Sequence, residues 1–274
     1  MTRVQALVAA LDNDTDTLPE RMGLQSDAII IDQRPDSGEY SYETRELSDK
    51  KGGVCRLDIW HCAERGVGLS RNTALQRACG ELVQFVDEDI VYDDGYVSLI
   101  EREFDAHPKA DILLFNIKAA PGRETYHNTD YARVHSYSCG RYPAYAICAR
   151  REALVRARVS FSLLFGGGAR YSNGEDSLFL MDCLRAGLVL YRVPVSLGHE
   201  VARQDERGST WFEGYTDRFY RDRGVLYHYL YGRLAAPMSL RFLLAHRQVR
   251  GDRSVSECYA LMRQGILEAR GKRA

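Results

Sequence analysis

The chain has 274 residues, enough for one large α/β domain with a buried core, and its 37 Lys and Arg against 38 Asp and Glu leave a formal net charge of −1. That balance gives no global basic field, so nucleic acid is not expected as a partner and any anionic ligand must be recognised locally. Seven Cys, at 55, 62, 79, 139, 148, 183 and 258 and without a CxxC pair, argue against a disulfide framework or a zinc site and point to a reducing compartment.

The N-terminal MTRVQALVAALDND has one Arg and a short apolar run, too short to span a membrane and without a small-residue cleavage pattern, so a cytoplasmic protein is expected. Val4 to Leu11 reads as a first strand, TDTLPERMGLQS as a helix or turn connection, and AIIID (28–32) as a short run of the kind that parallel sheets bury on both faces. A polar stretch from Gln33 to Gly53 separates this from RLDIWHC, another strand. Ser70 to Cys79 predicts a helix, with Ser70 as N-cap and Gly80 at its stop. LVQFVD follows as a strand, then a helix from about Gly95 to His107 ended by Pro108, then the buried strand ADILLFNI. This alternation predicts a largely parallel sheet flanked by helices. Residues 134–150 could supply later strands, Glu175 to Ala186 a helix closed by Gly187, and VLYRVPVSLGH a strand interrupted by Pro194. From about Trp211 the texture turns aromatic and Arg-rich, and a last helix runs from Val255 to Arg270, so residues 1–205 are taken as one domain and 206–274 as a helical extension packed on it.

VQFVDEDIVYDDG (83–95) poses the chemical question. Three adjacent carboxylates, Asp87, Glu88 and Asp89, at the end of a buried strand repel one another unless something cationic neutralises them. In open α/β sheets ligands bind at the carboxyl ends of strands, and a D-x-D spacing lets two carboxylates serve a divalent cation and a ribose from one turn. Taken alone, the acids equally suit a solvated loop or a cap for the following helix.

Their context is ERGVGLSRNTALQRACGELVQFVDED, and this stretch resembles the core signature of family 2 glycosyltransferases. The resemblance implies a GT-A fold, a nucleotide-diphospho-sugar donor (UDP-linked by preference) and Mn²⁺ or Mg²⁺ as cofactor. By resemblance Asp87 faces the nucleotide, Asp89 holds the metal, Glu88 lies at the donor, and Asp32 at the end of AIIID contacts the base. The family's Pro-x-Tyr-Asn after the first strand is here AALDND, and its acidic-serine run after the second is QRPDSG. The later GGGARYSNGED and STWFEGY look like the branch found in bacterial capsule and exopolysaccharide clusters. The acceptor implied is a glycan or a lipid-linked glycan, met at the inner face of the membrane.

YSNGEDSLFLMDC sets Glu175 and Asp176 at a helix start, where backbone N–H groups favour carboxylates. An inverting transferase needs one carboxylate to take the acceptor's proton. The resemblance gives that role to Asp176, with Glu175 positioning the acceptor. GVGLSR at 66–71 is not a dinucleotide fingerprint, because its third Gly position is Arg71 and no apolar strand precedes it. Arg71 is placed to meet phosphate or to fix the Asp87 carboxylate, and a surface salt bridge is an equal alternative. By resemblance His199 is a metal ligand, with Glu200 the substitute; Trp211, from its ring chemistry, suits stacking on a sugar face and equally a place in the core. FGGGAR allows either close backbone approach or a moving loop. The basic amphipathic SLRFLLAHRQVR could lie on an anionic membrane surface, although a helix packed on the domain is the commoner explanation. The alternatives are a sugar nucleotidyltransferase, for which AALDNDTDTLPER lacks a Gly-rich basic loop, and a binding module without turnover.

Overall fold

The computed structural model describes residues 3–48, 53–120, 124, 126–201 and 214–271. In chain order the elements are β1 (Val4–Leu11), α1 (Leu18–Arg21), β2 (Asp27–Gln33), β3 (Ser41–Ser48), β4 (Val54–Cys62), α2 (Val67–Arg77), β5 (Leu82–Asp87), β6 (Ile90–Tyr92) and α3 (Tyr96–Ala106). Then follow β7 (Ile112–Lys118), β8 (Ala132–Arg133), β9 (Ile147–Arg150), α4 (Arg151–Ala157), α5 (Glu175–Arg185), β10 (Leu190–Glu200), α6 (Asp217–Tyr231), α7 (Ala235–Ala245) and α8 (Val255–Gly271).

The strands form one sheet in the order β3-β4-β2-β1-β5-β9-β7-β10-β6, with β8 added on β10. The sheet is mixed, which corrects the expectation of a mostly parallel one. β2 and β5 run parallel to β1, β4 to β2, and β10 to β7, whereas β3, β6, β8 and β9 pair antiparallel with their neighbours. Two local facts explain the difference. The polar stretch after β2, which carries no apolar run, forms the edge strand β3 as a partner for β4 instead of a crossover helix. Residues 134–150 yield only the short β9, which slots antiparallel between β5 and β7. The remaining strands still share a direction, so the C-terminal ends of β1, β2, β4, β5 and β10 open on one edge of the sheet.

Alternation along these strands builds a core on each face. Leu7, Ile29, Ile31, Val83 and Phe85 point to one side, where α2, α5 and the C-terminal helices pack, while Ala6, Val8, Ala28, Ile30 and Val86 point to the other with α3. Pro194 does not interrupt β10; the strand absorbs it through a register shift between Arg192 and Ser196. Helix α2 starts three residues earlier than expected, with Gly66 rather than Ser70 as N-cap, and Ser70 is instead buried in its first turn.

Helices α6 and α8 cross with Gly224 against the backbone of Met262 and Gly265 against that of Arg221; a Cβ at either glycine would collide with a carbonyl. Their buried side chains, among them Leu226 and Met262, join the same core as Phe165 and Leu178. The expected domain boundary at 205/206 lies outside the described residues. Among the described residues no helix is long and apolar enough to cross a membrane.

Candidate active site

The strand end that raised the charge question meets its cation within the chain. Arg71, on the second turn of α2 and only 3% exposed, donates from Nη2 to Asp87 Oδ1 at 2.7 Å. From Nη1 it donates to Asp176 Oδ1 at 2.9 Å and to Glu175 Oε1 at 3.1 Å. One guanidinium thus ties the end of β5 to the start of α5, residues about a hundred positions apart in sequence. Of its expected roles Arg71 takes the one that fixes Asp87, and its burial corrects the alternative of a surface salt bridge. It can do so because the planar fork of a guanidinium presents separate nitrogens in fixed directions, Nη2 toward Asp87 and Nη1 toward Glu175 and Asp176.

Three acids around one buried cation leave an excess of negative charge. Burial pushes the Asp176 carboxyl well above the usual carboxylate range, the charges of Glu175 and Asp87 push it further, and Arg71 and the Ala144 backbone N–H hold it down. Burial opposes the charge on Arg71, yet the three carboxylates hold its guanidinium more firmly protonated than in water. Phe161 lies under the guanidinium, 5.3 Å from ring centroid to Cζ, and closes its apolar side.

The three glycines before α5 supply a close backbone approach. Gly166, at φ +105°, lies where a Cβ would come 2.7 Å from Val67 Cγ1 and 2.8 Å from the Glu175 carboxyl carbon. The Gly167 carbonyl accepts the Val67 N–H at 3.0 Å, so the loop fastens the start of α2 to the start of α5. Gly174, at φ +117°, then turns the chain into α5, and Glu175 folds back to accept its N–H at 3.1 Å.

Asp32, fully buried at the end of β2, sits in a different setting. Its Oδ1 accepts the Asn13 N–H at 3.0 Å, and its Oδ2 meets Arg34 Nε at 2.5 Å and His61 Nδ1 at 3.0 Å. Asn13, Arg34 and His61 were not singled out in the sequence. The signal available was their position one or two residues beyond, or at the last turn of, strands whose ends share the edge. Glu88 turns away from Asp87, and its Oε2 accepts Leu11 N–H at 2.9 Å and Asn13 Nδ2 at 2.8 Å, strapping the loop after β1 to the turn after β5.

The Asp89 carbonyl accepts the Val201 N–H at 2.8 Å, and β10 pairs Glu200 with Ile90 and His199 with Val91, so the end of β10 lies beside the acidic turn. Glu200 is buried and accepts the Ala120 N–H at 3.0 Å, whereas His199 is exposed. Among the described residues no three His, Cys, Asp or Glu side chains are gathered closely enough to enclose a metal by themselves. Oxygen donors at a strand end suit Mg²⁺ or Mn²⁺, which commonly take one or two carboxylates and complete their shell with substrate phosphates. Trp211 lies outside the described residues.

No protein-family model and no curated protein sequence matches the chain. Solved structures do share its fold. Staphylococcus aureus TarS 1–349 in complex with UDP-GlcNAc superposes with a TM-score of 0.61 over 90% of this chain and 72% of that one, at 17% identity. The mannosyltransferase PcManGT from Pyrobaculum calidifontis, in complex with GDP-Man and Mn²⁺, does so with a TM-score of 0.52 over 98% of this chain and 75% of that one, at 14% identity. Against the longer S. aureus TarS chain the similarity, at a TM-score of 0.58 and 16% identity, covers 43% of that protein.

Proposed function

We propose that this protein is a glycosyltransferase that moves a sugar from a nucleotide-diphosphate donor, a UDP-sugar by preference, to a hydroxyl of a glycan or glycolipid acceptor in polysaccharide synthesis, with inversion at the anomeric carbon. The observation that carries the reading is the Arg71 node, in which Asp87, Glu175 and Asp176 converge at the C-terminal edge of the sheet. The shared fold with proteins solved with UDP-GlcNAc and with GDP-Man and Mn²⁺ supports it.

In this reading Asp176 is the general base. The acceptor hydroxyl gives its proton to Asp176 as its oxygen bonds to the anomeric carbon of the donor, and the bond from that carbon to the diphosphate oxygen breaks with its electron pair leaving on the diphosphate. Burial makes Asp176 a stronger base than a solvated carboxylate, and the charge of Arg71 opposes the rise. Glu175, anchored by Arg71 and the Gly174 N–H, orients the acceptor. Asp87 faces the donor ribose, and Asp32 with its Asn13, Arg34 and His61 frame faces the base. Asp89 and His199 would hold Mn²⁺ or Mg²⁺, with Glu200, whose Oε2 accepts the Ala120 N–H, as the substitute for His199; the metal would supply Lewis-acid stabilisation to the departing diphosphate. Trp211 is assigned to the sugar.

Calorimetric titration of UDP and GDP into the protein, with and without Mn²⁺ and beside Asp89→Ala, tests the donor site. Metal-dependent binding of one nucleoside diphosphate, lost in the variant, is the expected result. Binding of neither nucleotide with any metal would remove the reading.

A further inference from the structure

Residues 223–251 contain five arginines and no Asp or Glu, in a chain that as a whole carries 37 Lys and Arg against 38 Asp and Glu. Helix α7 lies within this stretch. Its inner face is settled by packing: Ala235, Ser239 and Leu243, at four-residue spacing, are buried in the core. The opposite face carries Pro237, Leu240, Arg241 and Leu244, again at helical spacing, and all are exposed. Leu244 is 62% exposed, and Leu234, just before the helix, is 63% exposed. Arg233, Arg241 and Arg247 are exposed beside this apolar row. Single exposed leucines are ordinary, but a row of them rimmed only by arginine marks a surface that meets something apolar and anionic together.

The placement of α7 is also informative. Helix α6 runs from Asp222, whose Oδ2 accepts the Ser172 N–H ahead of α5, to Leu230, whose carbonyl is held by Arg185 at the far end of α5. Helix α7 returns beside it, with Phe242 against Tyr227 and under Arg223, and the Tyr220 hydroxyl reaches the Val249 carbonyl just beyond. The Leu244 end of α7 is therefore on the same side of the molecule as the start of α5, where Glu175 and Asp176 lie.

We propose that the outer face of α7 is a docking surface for an anionic lipid bilayer, with Leu234, Leu240 and Leu244 entering the headgroup boundary and Arg233, Arg241 and Arg247 meeting lipid phosphates. Charge complementarity selects the partner: a second copy of this chain would set the same arginines against one another, whereas an anionic leaflet satisfies all of them. If the transferase reading holds, the same contact presents the active-site edge to a lipid-linked acceptor; the surface itself does not depend on that reading.

The test is co-sedimentation of the full chain with phosphatidylcholine vesicles, with and without phosphatidylglycerol, at low and high salt. The expected result is binding that requires phosphatidylglycerol, weakens with salt, and falls on the order of tenfold or more in Leu240→Ser/Leu244→Ser and in Arg241→Glu/Arg247→Glu. Thermal melting and UDP or GDP binding should be unchanged in both variants, which keeps failure of the surface distinct from failure of the donor site. Absence of vesicle binding, or equal binding to neutral and anionic vesicles, would overturn the proposal. So would a dimer in solution that Leu240→Ser/Leu244→Ser dissociates, because the face would then belong to a second copy.

Discussion

Two carboxylates, Asp32 fully buried and Asp176 half-buried, close the same edge of the sheet, and they are held in opposite ways. Asp32 is surrounded by donors: a backbone N–H, an arginine and a histidine each bond to it, and the acids nearby reach its partners rather than Asp32 itself, Glu43 on the far side of His61 at 3.4 Å and Glu88 on the Asn13 side chain at 2.8 Å. Asp176 is surrounded by acids and shares a single guanidinium with Asp87 and Glu175. A carboxylate saturated with donors is fixed in place and suited to recognition. One that competes for a cation holds its proton more tightly and is suited to moving it. The same amino acid in the same layer of the fold is thereby divided between two tasks by its neighbours.

The comparison is broken most severely by removing the shared cation. Arg71→Met keeps much of the side-chain volume but leaves three carboxylates gathered without neutralisation, and removing one partner of a buried ionic cluster costs about 3–5 kcal/mol. Urea unfolding should show a fall of that order at neutral pH, with a large part recovered in acid as the carboxylates protonate. A loss below about 1 kcal/mol would mean that water already satisfies the cluster and that Arg71 is not its keystone.

Asp176→Asn separates chemistry from stability at the same node. Loss of a general base lowers turnover by roughly 10²–10⁴-fold. The sign for stability is opposite. The folded-state carboxyl titrates above its unfolded value, so its contribution is fully present below the unfolded value and is lost as pH rises through the folded one. Asparagine keeps an acceptor for Arg71 and has no proton to lose, so the variant should gain in melting temperature relative to the natural chain over the pH range between the unfolded-state and the raised folded-state titration of Asp176. An asparagine variant that is destabilised throughout that range would show Asp176 to be a structural partner of Arg71.

How much of this could be read in advance depended on whether the signal was local. The strand LVQFVD, the helix beginning at Glu175 and the helix ending near Arg270 were legible because period-2 or period-3.6 patterning and terminal glycines lie within a few residues of one another. The edge strand β3 was not, since a solvated strand such as SYETRELS has no apolar face to announce it and is fixed only by its ladder with β4. The start of α2 was misplaced at Ser70 because a good N-cap residue stands there, while tertiary packing places the turn at Gly66. At the site, each acid is visible as a residue, and the contact of Arg71 with Asp87 is one of the alternatives the sequence leaves open. That Arg71 also gathers Glu175 and Asp176 was not legible, because the contact spans about a hundred residues and follows from the glycine loop pressing α5 against α2.

The mildest change sharpens the distinction between holding and reacting within the DED turn itself. Glu88 stands between Asp87, which is bound to the cation, and Asp89, whose carbonyl anchors the end of β10. Its own carboxylate accepts two hydrogen bonds from the loop after β1, and Asn13 in that loop is one of the donors around Asp32. Glu88→Gln retains an acceptor oxygen in the same place but removes the charge that strengthens both bonds, and the site is only half-buried. The expected cost is about 0.5–1 kcal/mol of stability, read from denaturant unfolding, with a fall in nucleotide affinity that follows the loosening of Asn13. If Glu88 instead touched the donor directly, affinity would fall while stability stayed constant. A parallel fall in both ties Glu88 to the frame around Asp32, and the acidic turn then divides between Asp87, which meets Arg71, and Glu88, which holds the loop after β1.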